Sequence, residues 1–477
     1  MVVSSGRRIV FSSFSGLRCR VSLSVALCLS SLLSAHAQSL VHLTEQAQSH
    51  DAQWQSMRAQ LDATIARGEQ AKAGLLPQIG LQAGSQYNDA RTRLESNGVP
   101  ASTQLGAVQH SAAIQAVQPL YNPANLITHR QGQRNVDLAY AQIDAARQDL
   151  MVRTANAYFS VLEAQDNLVL IRAQKRAVSE QFEFAKRNFE IGTATVTDSR
   201  EAQARLDLVL AQEIAALSEL EIRQSALEQL TGQPSAMPWP LIQGVRLPAL
   251  APADLQSWID TSSAHSPMVR QAQMAVDIAR LETDKAQAGH KPTVDLQVSY
   301  GYQRNPDGMT STPGARNIRS NVGTVGVVMN LPLFAGFAIQ NRVRESLSLE
   351  EKAQADLEDT RRQVHQAVRT AYFGIQSLQG QVQALEAAVE SSQSALDANR
   401  LGYQVGVRIN MDVLNAQSQL YQARRDLAQA RYNLLLAHLQ LRQASGVLSM
   451  QDIYHLNQMV QAASSHINEE KVSSKSM

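Results

Sequence analysis

The chain has almost no cysteine. Both of its cysteines, Cys19 and Cys28, fall within the first 37 residues, so the remainder has no thiol with which to form a disulfide, hold a metal or attack a substrate. Long hydrophobic runs are equally scarce. After residues 21–33 no apolar segment approaches the ~20 residues that a transmembrane helix needs. That excludes a helical membrane protein but not a strand-built one. Net charge is missing too: 43 Lys+Arg stand against 42 Asp+Glu, a formal +1, which gives no attraction to nucleic acid. There is no HExxH pairing, no P-loop and no GxSxG turn, and the eleven histidines are scattered. Metal-assisted hydrolysis, nucleotide use and serine-nucleophile chemistry therefore have no residues to carry them. We expect no enzyme, no metal and no cofactor; His365 and His438, which sit in helical patterns, are expected to be packing or surface residues.

What is present begins with a leader. Arg7, Arg8, Arg18 and Arg20 precede the short apolar run, and Ala35-His36-Ala37 follows it. A basic region, a hydrophobic core and a small-x-small site read as a secretory signal peptide over residues 1–37, cut after Ala37. Leu27 precedes Cys28, so lipid attachment is not expected.

The rest of the chain is written twice. Ala157-Tyr158-Phe159 recurs as Ala371-Tyr372-Phe373, Gly192 as Gly406, Asp198 as Asp412 and Gly232 as Gly446, all at one offset. Upstream, AKAGLLP at residues 71–77 answers AQAGHKP at 286–292. The period is far too long for a solenoid, so these are two copies of a domain-sized module. We expect the first over residues 38–231, a proline-rich linker over 232–253, the second over 254–462, and a polar, serine-rich, disordered tail over 463–477.

Proline is absent from residues 124–233 and again from 333 to the end. Proline is costly inside a helix, and these are the stretches with helical periodicity. Val413, Ala416, Leu420, Ala423, Leu427, Ala430, Leu434, Ala437, Leu441 and Ala444 are spaced 3, 4, 3, 4 throughout. That is a heptad seam alternating large and small residues. The first copy keeps it as Leu206, Val209, Ala216, Leu220, Leu227 and Leu230, interrupted by Glu213 and Arg223. Longer helical patterns, residues 125–190 and 339–401, precede each break and predict rods of ~90–100 Å at 1.5 Å per residue.

Between rods the period changes to two. Ile79, Leu81, Ala83 and Tyr87 alternate with Gln, Gly and Asn, as do Val294, Leu296, Val298, Tyr300 and Tyr302 with polar or small residues. The pattern predicts strands near 77–88, 109–120, 292–302 and 321–332, joined by polar loops at 89–108 and 303–320. Ten-residue alternation of this kind fits a transmembrane β-strand, and also a half-buried soluble sheet. Four strands cannot close a barrel, and an open edge cannot persist in lipid. Either the sheet is soluble or several chains share one barrel. Trp54, Trp239 and Trp258 lie outside the strands and are not assigned to a membrane belt.

The duplicated strand-strand-helix module, the QPLY and LPLF that follow strands, and above all YQVGVRINMDVLNAQSQLYQARRDLAQARYNLLLAHLQL at residues 403–441 resemble the TolC-type outer-membrane efflux family. The match VGxRxxxDVLNAQxxLYxA is closest to its type I secretion subgroup. The resemblance covers nearly all of the chain after the leader. It implies an α+β membrane protein in which three chains share one twelve-stranded barrel in the outer membrane of a Gram-negative bacterium, above a coiled-coil periplasmic tunnel. It implies a homotrimer in outer-membrane lipid that works with a periplasmic adaptor (membrane fusion) protein and an inner-membrane ABC or other transporter. The duct exports protein or small molecules; multidrug efflux is the alternative to protein secretion. A soluble periplasmic coiled-coil scaffold is the alternative of another class.

The resemblance also assigns residues. Gly192 and Gly406 match the turns at the periplasmic tip. Tyr403 and Arg408 match residues that latch one helix pair against its neighbour, with Thr197 and Asp198 on the other side. Asp412 matches a ring of carboxylates in the pore constriction. A second acid often lies one turn on, but this chain has Asn415 there, which implies a weaker ring. Val407 stands where threonine is usual. As residues alone, Asp198 and Asn410 also suit helix caps, and Asp412 suits a first helical turn.

Overall fold

The computed structural model describes residues 38–96, 99–193, 195–234, 236–241, 250–307 and 315–461. The leader expected over residues 1–37 and the tail expected over 463–477 lie outside the described residues.

The elements run twice in one order. Helices α1 (Leu40–His50) and α2 (Ala52–Lys72) lead to strands β1 (Gln78–Ser96) and β2 (Val99–Tyr121), then to helices α3 (Pro123–Glu190) and α4 (Val196–Thr231). The second pass is α5 (Leu255–His265), α6 (Pro267–Ala288), β3 (Thr293–Asn305), β4 (Ile318–Asn330), α7 (Ala338–Gln404) and α8 (Asn410–Ala444). A closing helix, α9 (Met450–Gln461), has no counterpart among the described residues.

The two rods are uninterrupted. α3 has 68 residues and α7 has 67, about 100 Å each at 1.5 Å per residue. Pro123 sits at the first helical position, where its missing N–H costs nothing, and Asn122 caps the helix by accepting from the Asn125 N–H at 3.1 Å.

Each rod pairs with the helix that follows it. The α8 seam buries Val413, Leu420, Ala430, Leu434 and Leu441, of which Ala430, Leu434 and Leu441 meet Val368, Tyr372, Ile375 and Val382 of α7. α8 also buries a second face, Leu414 against α3 and α4 and Tyr432, Leu435 and Leu439 against α3, so it is sandwiched between the two copies. In the first copy the interruption of the seam has a physical filling. Glu213 of α4 bridges Arg172 at 3.2 Å and Lys175 at 2.7 Å of α3, an ion-pair rung where a leucine would otherwise stand. Its carboxyl is held below the usual carboxylate range, first by the Lys175 hydrogen bond and then by Arg172.

The widest core lies midway along the rods. Leu40 and Leu43 of α1, Tyr158, Phe159 and Leu162 of α3, Leu227 of α4, and Ile453 and Leu456 of α9 converge there. α9 was not read from the sequence. Ser449 and Asp452 start it, the Ser449 N–H donating to the Asp452 carboxylate at 2.9 Å, and Asn457 accepts from the Leu40 N–H at 3.0 Å. The three tryptophans belong to this middle region: Trp54 and Trp258 are buried and Trp239 packs against the core. His365 reaches Ser263 at 2.8 Å, and His438 is half-buried, its imidazole pushed down by desolvation.

The four strands form one antiparallel sheet in the order β1-β2-β3-β4. The hairpins are longer than the alternation predicted, and much of the expected loop at 89–108 is strand. The reason is that the apolar residues of that extension, Leu94, Val99 and Leu105, are too sparse among polar and charged ones to mark a period-two signal.

Candidate functional site: an amphipathic open sheet and a two-hairpin tip

Register assigns the two faces of the sheet. Ile79 pairs with Ala116, Ala116 with Val298 and Val298 with Val325. Two residues along, Leu81 pairs with Ile114 and Ile114 with Tyr300. Cross-strand partners share a face, so an apolar stripe runs across all four strands. The intervening rows, such as Gly80, Gln115, Ser299 and Thr324, are polar or small, and Ser299 Oγ meets Thr324 Oγ1 at 2.6 Å. Among the described residues no helix covers the stripe: Ile79 is 73% exposed and Val325 75%. β1 and β4 each keep one unpaired edge. At the sheet's base Leu333, Phe334 and Phe337 are exposed as well, the two phenylalanines meeting edge to face at 5.4 Å. A half-buried soluble sheet would have a covered face, and among the described residues nothing covers this one.

At the other end of the rods the two breaks are built alike. After α3, Gly192 takes φ 77°, with Gly192 N–H donating to Phe189 O and Thr193 N–H to Asn188 O. After α7, Gly406 takes φ 80°, with Gly406 N–H donating to Tyr403 O and Val407 N–H to Gly402 O. Both are Schellman closures, in which a left-handed residue lets the last carbonyls be satisfied, and glycine enters that region without steric cost.

The α4 start is a capping box. Thr195 is the cap, its hydroxyl accepting from the Asp198 N–H at 3.2 Å, while the Asp198 carboxylate accepts from the Thr195 N–H at 3.1 Å. Thr197 stands exposed in the same turn. The α8 start differs. Asn410 is not its cap: Ile409 is, with no side-chain cap bond. Asn410 is 1% exposed, and its amide is turned to the neighbouring hairpin. Its Oδ1 accepts from Gln181 Nε2 of α3 and its Nδ2 donates to the Asp198 carbonyl at 3.4 Å.

Tyr403 does bridge the two hairpins. Its ring meets Phe184 edge to face at 5.9 Å and its hydroxyl is hydrogen-bonded with Asn188. Burial pushes the phenol up, the Asn188 bond opposes that, and the charge of Asp198 adds to it. Arg408 is not brought to Asp198 within one chain. Its guanidinium lies 3.7 Å from Asp412, one turn on, with Arg408 exposed and Asp412 half-buried. Within the chain the Asp198 carboxylate is engaged through Oδ2 by its own capping box. Asn415 accepts from Arg205 Nη2 of α4 at 2.9 Å, which places a cation beside the expected constriction position. Phe184, Asn188, Gln181 and Arg205 were missed in the sequence, since each acts on the other copy and no periodicity links them. Asn410 was open to a better reading: it shares a helical face with Leu414 and Gln417, both buried.

A sheet with an uncovered apolar stripe, set on paired rods of this length and ending in two matched hairpin tips, defines the protomer of an outer-membrane export channel. A model of the family described as outer membrane efflux protein matches residues 43–233 and 258–447, and the chain belongs to that family. It is 34% identical over 436 residues to the outer membrane protein TolC of Vibrio cholerae, covering 91% of this chain and 96% of that one. With the alkaline protease secretion protein AprF of Pseudomonas aeruginosa it shares 32% identity over 338 residues, 70% of this chain and 69% of the other. The fold matches the solved CmeC outer membrane channel of Campylobacter jejuni with a TM-score of 0.72 at 15% identity, over 96% and 98% of the two chains. It matches VceC of Vibrio cholerae with a TM-score of 0.72 at 22% identity, over 85% and 96%.

Proposed function

We propose that three copies of this chain close one barrel in the outer membrane and that their rods form a periplasmic export tunnel. The observation that carries the reading is the open, amphipathic four-stranded sheet. Lipid satisfies the apolar stripe, and neighbouring copies satisfy the free edges, since an unpaired edge is too costly in hydrocarbon. Four strands fall short of the ~8 at which membrane barrels begin, and three chains exceed it. A soluble scaffold would leave the stripe in water.

On this reading residues 38–231 and 254–462 are the two repeats of the protomer, joined by 232–253, and the tip with Gly192 and Gly406 is the closed end of the tunnel. Arg408 reaches Asp198 and Thr197 of a neighbouring subunit, Tyr403 holds the hairpins of its own chain, and Asp412 with Asn415 lines the constriction. The exposed apolar residues Ile191, Val405, Val407 and Ile409 give the tip a surface for a periplasmic adaptor. The duct is passive, and an inner-membrane transporter supplies the energy. Protein secretion is favoured over drug efflux because AprF and the proteases secretion protein PrtF of Dickeya chrysanthemi reach 32% and 30% identity, whereas the efflux protein BepC of Brucella suis reaches 24%.

Mass measurement of the detergent-solubilised protein, with carbonate washing of membranes, tests the assembly. A trimer that resists carbonate is expected; a stable monomer, or release by carbonate, rejects the shared barrel.

A further inference from the structure

The apolar stripe of the sheet ends on a row of a different kind. Two residues at a time outward from Ala116–Val298–Val325, the same face reads Ile114–Tyr300–Gly323, then Ala112–Tyr302–Asn321, then His110–Arg304–Arg319. All three residues of that last row are exposed, and they lie at the end of the sheet away from the rods. Arg304 is held in place. Its Nε donates to Asn317 Oδ1 at 3.1 Å, and Asn317, at φ 55°, donates its N–H to Pro306 O at 2.9 Å. The Nη groups of Arg304 are left to an outside acceptor, and no carboxylate among the described residues pairs with Arg304 or Arg319. Asp307, just past β3, accepts from the Val108 N–H at 3.2 Å, and Asp89 stands two rows further out on β1.

Val294 at the base of this face and Arg304 at its end both lie on β3. The distance between them is ~33 Å along the strand. Tilted as strands are in membrane barrels, that becomes ~25 Å, the height of the apolar band such barrels present to lipid. The rods are periplasmic, so the row marks the outer boundary of the band. Arginine facing lipid is costly at mid-bilayer and tolerated at the interface, and its planar fork matches phosphate oxygens two at a time. We propose, on the reading of the sheet as part of a shared outer-membrane barrel, that His110, Arg304 and Arg319 bind the phosphate groups of a lipid headgroup in the outer leaflet. His110 supplies a ring N–H in either protonation state. Past the row β3 has ended at Asn305 and β4 starts only at Ile318, while β1 and β2 continue as a paired ribbon. The headgroup therefore rests on a ledge, with the ribbon standing beside it.

The test uses the full-length trimer in phosphatidylcholine nanodiscs doped with diphosphoryl lipid A or with the same lipid stripped of its phosphates. Native mass spectrometry reads which lipid the trimer retains. Wild type is expected to retain the phosphorylated form, and Arg304→Gln combined with Arg319→Gln to weaken retention roughly tenfold for each charged hydrogen bond lost. Both side chains are exposed, so trimer yield should not change. Arg362→Gln, on the exposed face of α7, should retain lipid A as wild type does; a loss equal to that of the double variant would reduce the row to general surface charge. Equal retention of the dephosphorylated lipid, or wild-type retention in the double variant, overturns the site. Inorganic phosphate held by the wild-type trimer in nanodiscs without lipid A, and lost in the double variant, overturns the lipid assignment in favour of a free anion. A chain that forms no trimer overturns the barrel and the row together, whereas a trimer indifferent to lipid A overturns the row alone.

Discussion

Tyr158 and Tyr372 occupy corresponding positions in the two repeats, and each donates its hydroxyl to a backbone carbonyl in the segment that joins them. Tyr158 reaches the Trp239 carbonyl at 3.1 Å and Tyr372 the Ala253 carbonyl at 2.6 Å. The repeated Ala-Tyr-Phe is thus a pair of anchors by which each rod holds its end of the linker. Tyr158→Phe keeps the fully buried ring and strands the carbonyl, which costs ~1–3 kcal/mol when no water replaces the hydroxyl. A lower melting temperature in detergent is expected, with the trimer retained. An unchanged melt would mean that the linker is held by its apolar contacts alone.

Ala430 lies 3% exposed in the α7–α8 seam. Ala430→Leu adds volume where the helices already touch Val368 and Ile375, and overpacking of this kind costs ~1–3 kcal/mol. Calorimetry and trimer yield should both fall. Wild-type values in both would show that the small residues of the seam do not set the helix spacing.

Arg408 is exposed and its contact with Asp412 is long, so within a chain it contributes little. If it engages the neighbouring subunit, each copy adds ~0.2–1 kcal/mol to closure. Arg408→Ser is then expected to raise single-channel conductance at low salt, with the difference shrinking at high salt. Asp412→Ala should instead alter ion selectivity and block by multivalent cations. Conductance unaffected by Arg408→Ser would make Arg408 an ordinary surface charge.

Asp166 accepts from the Tyr432 hydroxyl at 2.7 Å, and burial raises its carboxyl above the usual range, with the tyrosine bond pulling it back. A carboxyl raised on folding binds its proton more tightly in the native state. Its favourable contribution is present below the unfolded carboxylate pKa and lost as pH rises through the folded one. Asp166→Asn should therefore raise the melting temperature at neutral pH, and the gain should fade on acidification toward ~pH 4. A gain that grew in acid would contradict the direction of the shift.

The rods, the seam and the apolar side of the sheet were legible because each obeys a period that the hydrophobic effect imposes on one chain. Leu420 and Val298 say where they belong by their neighbours in sequence. The outer halves of β1 and β2 were not legible, since Leu94, Val99 and Leu105 are too few among polar residues to set an alternation. The tip was legible in its turns, because Gly192 and Gly406 answer to local backbone geometry. Its side-chain partners were not. Asn188 for Tyr403, Arg205 for Asn415 and Gln181 for Asn410 are contacts across the duplication, and only the packing of one copy on the other creates them.

The uninterrupted rods make each subunit a lever. The middle core around Tyr158 is the fulcrum, and from there to the end of α3 at Glu190 the arm is roughly 48 Å long. Tilting such an arm by ten degrees carries its tip through about 8 Å while the fulcrum scarcely moves. If the tip is the closed end of a tunnel, as proposed, a gate worked in this way needs no hinge residue in the helices, and a few hydrogen bonds at the far end suffice to restrain so long a body.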